Sequence, residues 1–347
     1  MKTYDFIVVG FGISGISMAY QLLSNKYSIC VIDDNDTKAS VVAAGMCNPV
    51  ILKRFSLAWN AHEYLEYATV FYESLGEYLG ITCLKDLPVL RNLSSIEEQN
   101  KWFTKQDNPI LRNYMSSDLS TQKISGIDKE FHYGELKGTK RLNVSILNES
   151  FVDYLKKKDM FLEASFEVNK LSVYDDFVSY KNIKAQHIIF CEGIKVVNNS
   201  FFSNLGIIGN KGSYITIKCP ELKLNKALKT HYFLIPMDEP DVYKFGATYQ
   251  HQFSEKNYEE ESKVHLVQEL RTLLDLPFTV LEQQVAIRPT VKDRRPLIGT
   301  HKTFRNLHVL NGMGTRGVLM APTMSRHLYD YIVNGIDIPQ EVSIHRF

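Results

Sequence analysis

Three glycines and one acid carry the first recognisable chemistry in this chain. Gly10, Gly12 and Gly15 fall in the order G-x-G-x-x-G within Val8-Val9-Gly10-Phe11-Gly12-Ile13-Ser14-Gly15. That spacing lets a backbone wrap a pyrophosphate. Gly10 permits the tight turn, Gly12 the close approach of the phosphates, and Gly15 the close packing of helix on strand. Ile13 and Ser14 then open a helix whose first N–H groups and partial positive charge face the phosphates. Asp33 follows 33 − 15 = 18 positions after the last glycine, near the roughly 20-residue spacing at which an acid bonds ribose hydroxyls. Asp34 is next to it. An acid there repels a 2′-phosphate, so an NADP-type ligand is disfavoured. These residues do not separate NAD from FAD, and a glycine-rich turn without a ligand is the alternative reading.

The elements needed to hold these residues are visible on either side. Tyr4 to Val9 is an apolar, β-branched run, and Ile16, Ala19, Tyr20 and Leu23 recur at helical spacing. Tyr27 to Ile32 supplies the second strand that ends at the acid. Strand, glycines, helix, strand and acid in register form a dinucleotide-binding unit. The small, uncharged stretch Ala39 to Val50 suits either close approach of a flat ligand or a buried helix. Lys53 and Arg54 read as solvated. His62 to Leu79 is a core-facing helix capped by Gly80, and Ser95 to Lys105 a second helix, with Trp102 as packing. Further on, Ser150 to Lys158 reads as a short helix, Phe166 to Leu171 and Phe177 to Lys181 as paired strands, and Gln186 to Phe190 as a buried strand. It stops at Cys191-Glu192-Gly193, which brings backbone beside the fingerprint. Tyr214 to Ile217, His231 to Pro236 and Val242 to Thr248 alternate like antiparallel strands, and Glu259 to Leu276 is an amphipathic helix.

Composition narrows the class. A chain of 347 residues with 44% hydrophobic and 23% charged residues reads as an ordinary globular protein of two domains. A net charge of +1 gives no global field for nucleic acid or anionic membrane. Cys30, Cys47, Cys83, Cys191 and Cys219 are scattered and odd in number, which argues against a disulfide frame or a zinc site and fits a reducing, cytoplasmic compartment. No apolar run is long enough to span a membrane.

The last third carries the most specific signals. Ala286-Ile287-Arg288-Pro289 leads through Asp293 to Pro296-Leu297-Ile298-Gly299. The strand Leu307 to Leu310 then runs into Asn311-Gly312-Met313-Gly314-Thr315-Arg316-Gly317, before a helix that contains Pro322. Together with the fingerprint and Ala43-Ala44-Gly45-Met46, these segments resemble the D-amino-acid oxidase superfamily of FAD enzymes. The nearest members are glycine oxidase and the FAD domain of a bifunctional tRNA-uridine modifying protein.

The resemblance implies an α/β fold: a Rossmann-like FAD-binding domain built from discontinuous segments (1–80, 141–212 and 286–347), plus a smaller α+β substrate domain with an antiparallel sheet (81–140 and 213–285). It implies non-covalent FAD held by Gly10, Gly12, Ile13, Ser14, Gly15, Asp33, Asp34, Ser40, Ala43, Ala44, Gly45 and Met46. Val168 would lie beside the adenine, followed by Cys191, Glu192 and Gly193. The turn Gly312, Met313, Gly314, Thr315, Arg316, Gly317, Val318 and Leu319 would lie against the flavin ring. Arg288 would grip a substrate carboxylate, since a guanidinium fork matches a carboxylate in two parallel bonds; a salt bridge to Asp293 is the structural alternative. Arg316, Tyr232 or Phe233, and Tyr249 would complete the catalytic pocket. The implied partner is a small amine or amino acid, oxidised at its C–N bond by hydride transfer to flavin N5, with O2 or an unidentified electron acceptor. Two other readings stand beside it: an enzyme acting on a glycine-like amine of a tRNA nucleoside, and a flavin-binding protein without catalysis. The neutral charge counts against nucleic acid. Glu192, where relatives carry Ala, departs from the pattern. The sequence does not indicate an oligomeric state.

Overall fold

The computed structural model describes residues 1–127, 132–250 and 258–346. Its two large sheets divide the work. In the first, Lys2–Val9 lies between Ile29–Asp33 and Ile183–Phe190, with all three parallel. Phe161–Glu163 adds outside Ile29–Asp33, and Leu307–Asn311 adds beside Ile183–Phe190, again parallel. Strands buried on both faces read as continuous apolar runs. Accordingly Ile7, Val8, Ile29, Val31, Ile32, Ile188 and Ile189 are all closed to solvent. Leu171–Val173, Val178–Tyr180 and Leu297–Thr300 join this sheet antiparallel.

The fingerprint helix, Ile13–Ser24, packs against the C-terminal helix, Gly317–Asn334. Helix Ala61–Leu79 closes over the latter, and the Tyr72 hydroxyl donates to the Val318 carbonyl at 2.9 Å. Gly80 ends that helix in the left-handed conformation (φ 71°), which suits glycine. Ser95 caps Ile96–Lys105 by accepting from the Glu98 N–H.

The second sheet is mostly antiparallel, in the order Thr279–Thr290, Ile208–Lys218, Val242–Gly246, Phe233–Pro236, Ala227–Lys229, Val89–Asn92, Tyr133–Leu136, Met115–Ser120. Its back is covered by helix Tyr258–Leu273, through Leu266 and Leu270 packed on Ile215, Ile217 and Phe245. Its open face looks toward the first sheet. The longest pairing, Ile208–Lys218 with Thr279–Thr290, sets Arg288 opposite Asn210 and Ala286 opposite Gly212. These two strands run through positions 212 and 286, where the domain boundaries were expected.

Some elements differ from expectation. Phe166 to Leu171 is a loop and a short 3-10 turn, Val168–Lys170, so only Leu171–Val173 pairs with Val178–Tyr180. The helix expected from Ser150 begins at Val144, because Asn143 caps it by accepting from the Ile146 N–H. The stretch Ala39 to Val50 holds a four-residue helix, Ala39–Val42, and then the short strand Met46–Cys47, paired with Lys140 and Arg141. Pro322 lies inside the C-terminal helix at its sixth position, where it cannot bond the Val318 carbonyl; the Tyr72 hydroxyl donates to that carbonyl instead.

Candidate FAD and substrate site

A cavity of about 1220 Å³ lies between the two sheets. That exceeds the 300–1,000 Å³ usual for one small ligand, so it has room for a dinucleotide with a substrate beside it. Its floor is the fingerprint. Gly10 has φ 90°, and a Cβ there would stand 2.6 Å from the Cys191 carbonyl oxygen. Any side chain would therefore drive the two strand ends apart. Gly12 is the helix N-cap without a side-chain bond, and a Cβ on it would meet only Ser40 Oγ, at 3.4 Å. The turn is thus open on the side a phosphate would approach. Gly15, placed among the FAD-holding residues, does not line the cavity; it serves the close packing of helix on strand. Its missing Cβ makes room for the Gly10 carbonyl oxygen, which would lie 2.0 Å away.

Asp33 is buried at the end of its strand. Its carboxylate accepts from the N–H groups of Phe11 (2.6 Å) and Asn35 (2.9 Å) and pairs with Lys38 Nζ at 2.9 Å. A carboxylate has about four acceptor sites, so one remains for a ribose hydroxyl. The acid also fixes the fingerprint turn through Phe11. Asp34 lines the same end and is held by Lys195 at 2.7 Å and Ser165 at 3.1 Å. Ile13, Ser14, Ser40, Ala43, Ala44, Gly45 and Met46 line the cavity, as do Val168, Cys191, Glu192 and Gly193. Gly45 (φ 73°) passes so close to Leu142 that a Cβ would sit 1.9 Å from its carbonyl oxygen. Glu192 is the unusual member. Burial pushes its carboxyl up to about 7, although Asn199 Nδ2 donates to it at 2.8 Å.

The C-terminal turn forms the far wall. Met313, Gly314, Thr315, Arg316, Gly317, Val318 and Leu319 all line it. Gly312 does not: it packs beneath, with its absent Cβ 2.8 Å from Val291 Cγ2. The Gly314 N–H donates to the Pro289 carbonyl at 2.9 Å, tying this turn to the strand of Arg288. The first N–H groups of a helix lack intrahelical partners, and those of Gly317 and Val318 begin such a helix at the cavity wall. Arg316 donates to the Asn48 carbonyl at 2.8 Å, and burial holds its pKa below the ordinary value.

Arg288 projects from the second sheet into the same cavity. Its guanidinium donates to Asn210 Oδ1 at 3.1 Å and lies 4.7 Å from the centre of the Tyr249 ring. Gly212, across the strand, leaves the space it occupies: a Cβ there would stand 2.2 Å from Nη1. Asp293 is not its partner. That carboxylate is taken by Arg346, at 2.8 and 3.1 Å. Among the described residues no carboxylate lies within 4.0 Å of Arg288.

Tyr232 lines the cavity. Its hydroxyl is engaged by His265 at 2.8 Å and its ring packs on Phe245, so Phe233 is the aromatic of that strand turned to the open face. Tyr214, Lys229 and Lys53 also line the cavity and were not expected to. Alternation places Tyr214 on the face of Gly212, the one signal in the sequence that could have found it.

The surroundings of Gly12, the one free acceptor of Asp33 and the volume of the cavity fit FAD. Among the described residues there is no cluster of His, Cys, Asp or Glu fit to hold a metal, and no helix long and apolar enough to cross a membrane.

The similarity to solved structures extends over the whole chain. Iminodiacetate oxidase from Chelativorans sp. BNC1 superposes with a TM-score of 0.76 at 18% identity, covering 99% of this chain and 98% of that one. Glycine oxidase from Geobacillus kaustophilus gives 0.77 at 17%, covering 97% and 96%. L-α-glycerophosphate oxidase from Mycoplasma pneumoniae, with FAD bound, gives 0.72 at 16%, covering 96% and 95%. At such identities the likeness establishes the fold. The model of the FAD dependent oxidoreductase family matches residues 5–331, and this chain therefore belongs to that family of FAD-dependent oxidoreductases.

Proposed function

We propose that the protein oxidises the C–N bond of an amino acid or a small secondary amine bearing a carboxylate. One observation carries this reading: Arg288 points into the cavity with no carboxylate partner among the described residues, across from the turn Met313 to Leu319. A cation turned into a cavity is costly unless an anion meets it. A carboxylate gripped by the fork is fixed in orientation as well as position. Tyr249 stacks on the guanidinium and steadies its plane. Arg288 is half-buried, and the partial loss of water around it strengthens its ion pair with a carboxylate. When bound, FAD supplies the two-electron acceptor that turns the amine into an imine, which water then hydrolyses. The N–H groups that open the C-terminal helix, with Arg316 beside them, face the place where negative charge gathers. FAD is held without a covalent bond in this reading: all five cysteines are buried free thiols, and none follows Cys219. Two substrates similar to those named for the structural relatives, glycine and an N-carboxymethyl amine, are natural first choices. Anaerobic mixing with a panel of amino acids and N-methyl amines should bleach the flavin absorbance with at least one carboxylate-bearing member. Bleaching by carboxylate-free amines alone would remove the proposal.

A further inference from the structure

Charge inside the cavity is divided unevenly. At the fingerprint end, Asp33 is paired with Lys38 and Asp34 with Lys195. At the other end Arg288, Arg316, Lys229 and Lys53 line the wall, and among the described residues no carboxylate lies within 4.0 Å of any of them. Glu259, which also lines the cavity, faces Lys211 at 3.9 Å. Cations gathered in a concave, partly dry space repel one another unless anions enter. The pyrophosphate of FAD belongs with the fingerprint helix. One substrate carboxylate satisfies Arg288. Lys229 is then left without a counter-charge.

Lys229 ends the strand Ala227–Lys229, flanked by Arg91 on one side and Phe233 on the other. Its Nζ donates to the His231 carbonyl and lies 5.2 Å from the centre of the Phe233 ring. Burial, and after it the nearness of Arg91, pushes its ammonium down to about 8, the direction expected of a cation with no anion beside it. Arg91 is itself neutralised by Glu98 at 2.8 Å. Its Nε also donates to the Leu52 carbonyl at 3.4 Å, which holds the loop carrying Lys53 against the strand paired with Lys229. The strands of Arg288 and Lys229 are four steps apart in the sheet order. At ~4.8 Å per step their backbones are about 19 Å apart along the sheet, with long side chains reaching inward from both.

We propose that the substrate is an elongated dianion: its α-carboxylate meets Arg288, and a second anionic group, carboxylate or phosphate, on an extended arm meets Lys229 under the Lys53 loop. This rests on the reading of Arg288 given above.

Ligand binding without turnover tests it. The FAD-loaded protein would be titrated with α,ω-dicarboxylates from succinate to sebacate and with monocarboxylates of equal length, following the flavin absorbance. Among the longer members the dicarboxylate should bind at least tenfold more tightly than its monocarboxylate partner. In Lys229→Met, with FAD content and Tm retained, that ratio should fall to about one. Lys53→Gln, on an exposed loop, should lower it in part and decides the matter if Lys229→Met fails to fold. Carboxylates with a terminal phosphonate that bind more tightly still would mark phosphate as the second group. Equal affinities at every length, or a ratio unchanged in these variants, would overturn the proposal. If the preference appears while no amine reduces the flavin, the subsite stands and the amine-oxidation reading falls. If amines reduce the flavin without any preference, only the subsite falls.

Discussion

At the scale of single residues, Arg288 and Asp33 separate binding of substrate from binding of cofactor. Arg288→Lys keeps the charge but loses the planar fork. Since no carboxylate of the described residues depends on it, the variant should retain FAD and Tm. Its kcat/KM for an amino-acid substrate should fall tenfold or more, roughly 1.4 kcal/mol, while a carboxylate-free amine suffers far less. Equal losses on both substrates together with a lower Tm would return Arg288 to a structural role. Asp33→Ala should weaken FAD by about 1.5–3 kcal/mol, the worth of a bond to a charged group. The bond from Phe11 to Asp33 makes the fingerprint turn a second casualty, so the loss should sit at the upper end of that range. Fluorimetric titration of FAD-free protein measures it, and an unchanged Kd would mean that the acid serves the turn alone. Both residues were legible in the sequence because each sits in a local pattern: an acid after glycines, an arginine before proline. Lys229 and Tyr214 were not. Nothing around Lys229 marks it, and for Tyr214 the alternation from Gly212 is the one local sign; the pairing of distant strands turns both toward the cavity.

At the scale of elements, local signals fared better than long-range ones. The fingerprint unit and Ile96–Lys105 lie where periodicity and caps put them. The helix at Val144–Lys157 began earlier than expected because its cap, Asn143, precedes the most apolar part of the segment. The strands Met115–Ser120 and Tyr133–Leu136 were invisible: exposed, polar positions dilute the alternation of the first, the second is only four residues long, and pairing of the second with Val89–Asn92 and of the first with the second holds them in place. The strand end at Cys191-Glu192-Gly193 was legible as a close approach, but not the burial of its acid. That burial makes a prediction. Glu192 is raised from 4.5 to about 7, so between those values the native state binds more protons than the unfolded chain. Its contribution to stability is therefore present below about pH 4.5 and lost as pH rises through 7, a loss on the order of 3 kcal/mol. Glu192→Gln keeps the shape and an oxygen for Asn199 without the charge. In FAD-free protein its stability advantage over the parent chain, measured by urea unfolding, should grow from near zero at pH 4.5 to a plateau above pH 7. An advantage that is constant with pH would show that Glu192 does not titrate in this window.

At the scale of the whole molecule, the cavity belongs to both sheets. Gly12, Asp33 and Glu192 come from the first, and Phe233, Tyr214 and Arg288 from the second. The division into discontinuous segments follows from this, since the chain must cross between sheets to build each wall. We propose the boundaries near 80, 140, 212 and 286 as the crossing regions, although Ile208–Lys218 and Thr279–Thr290 run unbroken through two of them. Continuous strands at a boundary transmit disorder as well as order. If one half unfolds, those strands lose their ends, and with them the position of Arg288 opposite Asn210. The two halves should therefore unfold together. A ligand that binds only the native state stabilises it by RT ln(1 + [L]/Kd), so each tenfold rise in free FAD above Kd adds about 1.4 kcal/mol. A single calorimetric transition should then move to higher temperature with the logarithm of FAD concentration, and removal of FAD should lower it without splitting it. In Asp33→Ala the same slope should appear, displaced to higher FAD concentration. Two transitions, of which only one responds to FAD, would mean that the substrate-facing sheet folds independently of the cofactor. The cavity would then be a junction between separate bodies, and closure over the amine would be a motion of one against the other.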